Sequence, residues 1–346
     1  LDKRKGKRTK LERTTGNLSK FRLEELYEQF IYLKVSEGKA KRTLNKYRDN
    51  LKYFLEFLTV KEINSDIRLI TKEVIRSYIV WMLQEKVRFE GHRFKTKDEQ
   101  TVGLSPVTVN TRIKTLRPFF KYLCSEGLIS TDPMTTIKDV TEDETEIKIL
   151  TAEELKRLLN APNKRNYDDF RDYVLLNCLI DGFFRISTAL SIKVQDIDFS
   201  SNIITVSSSV DKSRKVRYVP ILKRTANLLK ELIKEIEEFD SEYVFLTNYG
   251  EQLQANHFRK QLRNYAKIAG IKKRVYPHLL RHSSATIFLE NSGNIRHLQM
   301  LLHHSDLRMV LRYTHLTNQS LIDQHNEHSA LNNVVDKLNK NRKIKR

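Results

Sequence analysis

A mainly α-helical protein of two helical units, the second carrying a small β-hairpin, is what this sequence predicts, and three observations predict it. Apolar residues recur at helical spacing along most of the chain. Only 6 prolines and 10 glycines occur among 346 residues, too few for the many turns of a β-sandwich. A polar, acidic, aperiodic stretch, STDPMTTIKDVTEDETEIKIL, separates two regions of regular apolar pattern. The expected organisation is a basic arm at 1–19, a helical unit at 20–135, a linker at 136–149, a second unit at 150–316 and a helical tail at 317–346.

The elements follow in order. LEELYEQFIYLKVSEGKAKRTLNKYRDNLKYFLEFL reads as two helices split near Gly38, and TKEVIRSYIVWMLQEK as a third. SPVTVNTRIKTLRPFFKYLCSEG is a fourth, with Ser105 and Pro106 as its start signal. Between the third and fourth lies VRFEGHRFKTKDEQTVGL, a charged loop that reads either as solvated or as an insertion facing a polyanion. The second unit opens on Thr151-Ala152-Glu153-Glu154, a capping-box pattern. NIITVSSSV and KVRYVPIL, joined by DKSR, read as a β-hairpin with a basic tip. Helices fill the remainder, closing on the basic tail DKLNKNRKIKR, and no internal repeat is visible.

A formal charge of +20 points to a polyanionic partner. Nucleic acid ranks first, because lysines and arginines that neutralise phosphates release condensed counterions. A membrane surface is the rival, but no stretch approaches the roughly 20 apolar residues that span a bilayer. The opening LDKRKGKRTKLERTTGNLSK lacks the apolar core of a signal peptide and reads as a basic arm. Cys124 and Cys178 stand far apart without metal-type spacing, so reduced thiols and a cytoplasmic protein are expected.

Several residues could carry chemistry. His278 and Arg281 are spaced i, i+3, one turn apart on a helix. His304 lies upstream of Tyr313 across a short helix, Arg185 follows a glycine at a helix edge, and Lys212 sits at the hairpin tip. Singly, each has an ordinary reading: a salt-bridged arginine, a structural histidine, a packed tyrosine, a solvated lysine.

Taken in order, the blocks Arg-Ile-Ser, hairpin lysine, His-x-x-Arg and Leu-Leu-x-His-Ser-Asp…Tyr-Thr-His resemble those of the tyrosine recombinases, the phage integrase family, over most of the chain. The resemblance implies a helical, SAM-like core-binding domain and a mostly helical catalytic domain. It implies a site-specific DNA recombinase that cuts and rejoins double-stranded DNA through a 3′-phosphotyrosyl link, without metal, nucleotide or other cofactor. Carried over by position, Arg185 and Arg281 would grip the scissile phosphate and Tyr313 would attack it. Lys212 would protonate the departing 5′-oxygen, with Lys215 its rival. His278 would help accept the tyrosine proton, and His304 would hydrogen-bond the phosphate. The family also implies a tetramer on DNA, accessory DNA-bending proteins, and a C-terminal tail that packs either on a neighbouring protomer or on its own domain.

Two positions depart from the family pattern. Thr188 stands where an acidic residue is usual, which implies looser orientation of its neighbours. His303 stands where a glycine is common, and is strained there if the position requires positive φ. Arg42, Lys46, Lys114, Arg117, Arg214, Lys215, Arg259 and Arg263 are candidate phosphate contacts, the alternative for each being a solvated face. Two other classes stay open: a non-catalytic DNA-binding descendant of a recombinase, and a metal-dependent nuclease using His278, His282, His297, His303, His304 and His315. Against the nuclease, the histidines have no compact carboxylate cluster beside them and no zinc-type spacing.

Overall fold

The computed structural model describes residues 21–91, 96, 100–142, 148–207, 216–303, 325–326, 329 and 331–334. The chain divides into two compact units, Leu1–Thr145 and Glu146–Arg346.

The first unit is built from α1 (Leu23–Ser36), α2 (Lys41–Val60), α3 (Lys72–Gln84) and α4 (Pro106–Ser125). Gly38 takes φ +70° in the turn between α1 and α2, a conformation that glycine adopts without steric cost. At the start of α4 the Ser105 hydroxyl accepts from the Thr108 amide, and Pro106 occupies the first turn, where its missing N–H costs nothing. The core is aromatic. Tyr27 and Phe119 lie 4.7 Å apart between ring centroids, while Phe54, Phe57, Tyr78 and Trp81 form a second cluster.

Two stretches read as irregular prove to be fixed in part. The ends of the charged loop pair through a Val87–Val102 bridge, with the Arg88 amide donating to the Thr101 carbonyl. The segment expected to begin a linker at 136 packs on the first unit instead. Ile137 is buried there, and Asn110 both donates to the Val140 carbonyl and accepts from its amide. An amide side chain satisfying one residue's backbone in both directions replaces a missing strand partner.

The second unit comprises α5 (Ala152–Leu159), α6 (Tyr167–Asp181), α7 (Ile186–Leu190), β1 (Ile197–Asp198), β2 (Ile203–Val206), β3 (Arg217–Pro220), α8 (Lys223–Glu235), α9 (Ala255–Ile268), α10 (Pro277–Glu290) and α11 (Ile295–Leu302), with a further turn at Leu331–Val334. The capping box forms at α5: the Thr151 hydroxyl accepts from the Glu154 amide and the Glu154 carboxylate from the Thr151 amide.

Helix α6 is the centre of this unit, buried continuously from Arg171 to Leu179. A charge in that run needs partners. Arg171, fully buried, donates to Asp172 at 2.9 Å, to Asp168 at 2.6 Å and to the Leu246 carbonyl. The Tyr265 hydroxyl of α9 then binds Asp169 and Asp172. At the far end of α6, Asp181 accepts from the Leu222 amide and the Thr225 hydroxyl, tying α6 to the start of α8.

The sheet has order β1-β2-β3 and is antiparallel, with Ile203 facing Pro220 and Val206 facing Arg217. The two longer strands are those of the expected hairpin. The two-residue β1 is an addition too short to leave a periodic signal. Both cysteines are free thiols, and no helix among the described residues is long and apolar enough to cross a membrane.

Candidate active site

The site forms where α6, α7, α10 and α11 approach one another. Helix α6 ends at Gly182, where a Cβ would lie 2.2 Å from the Phe184 ring, so glycine is required by contact. Phe183 follows with φ +50°, and this left-handed step turns the chain so that Arg185 caps α7. Arg185 itself is half-buried. Thr188, one turn along α7, is 5% exposed, so it faces inward beside the site.

Helix α10 starts at Pro277 and carries His278 and Arg281 one turn apart, as their spacing predicts. Their surroundings differ sharply. His278 is exposed, whereas Arg281 is 1% exposed. The Arg281 Nη1 donates to the Phe183 carbonyl and Nη2 to the Leu302 carbonyl. Each carbonyl lies two residues before a candidate site residue, Arg185 in one case and His304 in the other. The arginine therefore joins three segments far apart in sequence.

The pKa of His278 is lowered, first by desolvation where its ring meets the protein, then by the positive charges of Arg281 and Arg185. Lowering favours the neutral imidazole, so the ring is a proton acceptor at neutral pH and charges only at greater acidity than free histidine. The His282 ring lies 4.9 Å from it, edge to face.

Helix α11 ends at His303 with φ 51° and ψ 50°. The position does require positive φ, as glycine at this place would suggest. Leu298 and Leu302 anchor the helix against Phe183 and Ala285. Removing the Cβ at 303 relieves a left-handed penalty of about 1–2 kcal/mol, offset in part by about 0.4–1 kcal/mol of added freedom in the unfolded chain. His303→Gly is expected to melt at a higher temperature than a β-branched replacement at the same position. His303→Val, β-branched, should lose about 2 kcal/mol, and equal melting of the two would refute the strain.

One contributor was missed from sequence. Arg217, at the start of β3, is 5% exposed and donates from Nη1 to the Leu301 carbonyl at 3.1 Å. Strand alternation was the available signal: Arg217 shares the inward face with Val219.

The family model described as "Phage integrase family" matches residues 148–320, and that of its N-terminal SAM-like domain matches 27–127. The chain belongs to the phage integrase family of tyrosine recombinases. It is similar to the tyrosine recombinase XerD of Lacticaseibacillus casei, at 30% identity over 84% of this chain and 93% of that one. XerD of Listeria monocytogenes is 29% identical over 87% and 97% of the two chains. The fold matches that of the Tn1549 transposon integrase solved with a circular intermediate DNA, with TM-score 0.69 at 18% identity over 89% and 99% of the chains. The protein is thus a site-specific recombinase enzyme, mainly α-helical, with a SAM-like first domain.

Of the positions this recombinase was expected to use, Lys212, Arg214, Lys215, His304 and Tyr313 lie outside the described residues, as does most of the tail at 317–346. The candidate phosphate contacts divide. Arg42 and Lys46 are exposed on α2, and Arg259 and Arg263 are exposed on α9. Lys114 and Arg117 both pair with Asp139, and Arg117 also donates to the Ile137 carbonyl, so they hold the segment after α4. Among the described residues, no three histidines, cysteines or carboxylates are grouped to hold a metal ion.

Proposed function

We propose that this recombinase cleaves double-stranded DNA with Tyr313 as nucleophile, within a cage of Arg185, Lys212, His278, Arg281 and His304. The observation that carries the reading is the Arg281 guanidinium, buried beneath the turn that presents Arg185 and bonded to the carbonyl two residues before His304. A cation fixed at low dielectric acts strongly on charge developing nearby and needs no reorganisation during reaction.

In the proposed step the Tyr313 oxygen forms a bond to phosphorus while the bond from phosphorus to the 5′-oxygen breaks. The tyrosine proton passes to neutral His278, and Lys212 gives a proton to the departing oxygen. Arg185, half-buried at the start of α7, meets the non-bridging oxygens through its planar fork. Arg281 supports them from the floor of the site. The phosphotyrosyl link keeps the phosphodiester's energy, so a free 5′-hydroxyl reverses the step without ATP.

DNA recombination sites are the proposed partner, bound through exposed cations such as Arg42, Lys46, Arg259 and Arg263 as well as Arg214 and Lys215. Assembly as a tetramer on DNA, help from DNA-bending proteins and a cytoplasmic, nucleoid-associated setting belong to the same reading. The test is covalent capture. A duplex nicked beside the cleavage position loses its short 5′-hydroxyl fragment and traps the linked protein. The adduct should form equally with and without EDTA; loss of it on chelation would put a metal-dependent mechanism in its place.

A further inference from the structure

Arg217 lies inside the sheet's packed face, where an apolar residue of similar size would serve the strand equally well. Its guanidinium sits 5.4 Å from the centroid of the Phe184 ring, and its Nη1 donates to the Leu301 carbonyl. Arg281 takes the next carbonyl, that of Leu302. Two consecutive carbonyls at the end of α11, which lack partners within the helix, are thus held by arginines from two different elements. The residues they reach flank the site: Phe184 immediately precedes Arg185, and Leu301 stands three residues before His304.

We infer that Arg217 is a positioning residue for strand cleavage: it locks the last turn of α11 to the sheet, so that the chain leaving at His303 brings His304 and Tyr313 to Arg185 and Arg281. The inference rests on the reading of His304 and Tyr313 given above. A route through the hairpin to Lys212 is the weaker one. Strand β3 is paired to β2 over four residue pairs through its backbone, and that pairing does not need the Arg217 side chain. Among the described residues, no strand pairs with the end of α11.

Single-turnover cleavage of the nicked duplex by the full chain tests this with Arg217→Met and Arg217→Lys. Arg217→Met should bind DNA within about twofold of wild type yet cleave about 10–100-fold more slowly, as a misplacement of roughly 1 Å does. Arg217→Lys keeps one charged donor and should recover about a third of the rate or more. A purely structural loss instead lowers the amount of adduct and of bound DNA while leaving the rate of the active fraction unchanged, and that result overturns the inference.

A duplex with sulfur at the 5′-bridging position adds a second readout, because the thiolate departs without a proton donor. Lys212→Ala should be rescued by it and Arg217→Met should stay slow. Equal rescue of both would place Arg217 behind the hairpin lysine and overturn the assignment to α11. Absence of adduct with the wild-type protein would instead overturn the Tyr313 reading itself.

Discussion

Arg281→Met is expected to damage stability and chemistry together, and Arg281→Lys to damage chemistry nearly as much. The guanidinium is buried and spans two carbonyls, those of Phe183 and Leu302. Methionine fills the space but leaves both oxygens without these donors, at roughly 1–3 kcal/mol each. The loss of about 2–6 kcal/mol should lower the melting temperature by about 4–24 °C for a unit of this size. Lysine offers a compact ammonium that cannot reach both oxygens, and burial favours its neutral form. Cleavage by Arg281→Lys should fall by about 10³-fold, the scale of removing a fixed charge from a transition state. Calorimetry together with single-turnover cleavage checks both arms. A lysine variant that cleaves within tenfold of wild type would show that bridging the two segments is unimportant.

Tyr313→Phe is expected to abolish covalent capture while leaving DNA affinity within about twofold. Only one oxygen is removed, so phosphate contacts made by arginine and lysine persist. The reaction loses its nucleophile, and no neighbouring group is placed to replace it in the proposed scheme; a deficit of about 10⁴-fold or more is the expected scale for such a residue. The neutral state of His278 sharpens the comparison. Its lowered pKa favours the neutral imidazole at neutral pH, so in the proposed scheme the variant's failure reports the missing hydroxyl rather than a protonated base. Adduct formation by Tyr313→Phe at the wild-type rate would assign the nucleophile elsewhere.

Local grammar was the legible part of this chain. Ser105 with Pro106, the Thr151–Glu154 box and the split at Gly38 are each decided within four residues, and each forms as its pattern predicts. The one-turn spacing of His278 and Arg281 was equally plain. What spacing could not tell was that one of the pair is exposed and the other buried, because that depends on α6 and α11 covering only part of α10. Arg217 was passed over for a related reason. Its bond goes to a main-chain oxygen 84 residues away, and a backbone acceptor leaves no mark in sequence. The same holds for Asn110, whose partner is the backbone of Val140. Lys114 and Arg117 were legible as a basic helix face, but their pairing with Asp139 was not, because the sequence does not say which carboxylate folds back onto that face.

The interior ion network around Arg171 sets two kinds of charge in this recombinase apart in their response to ionic strength. Cations that face phosphate lose their grip steeply as salt rises, since the counterions they displace become harder to release. Arg171 and Asp172 are sealed within the second unit, 2.9 Å apart, where mobile ions do not enter. A rise in salt that strips the enzyme from its substrate therefore leaves this internal bond untouched.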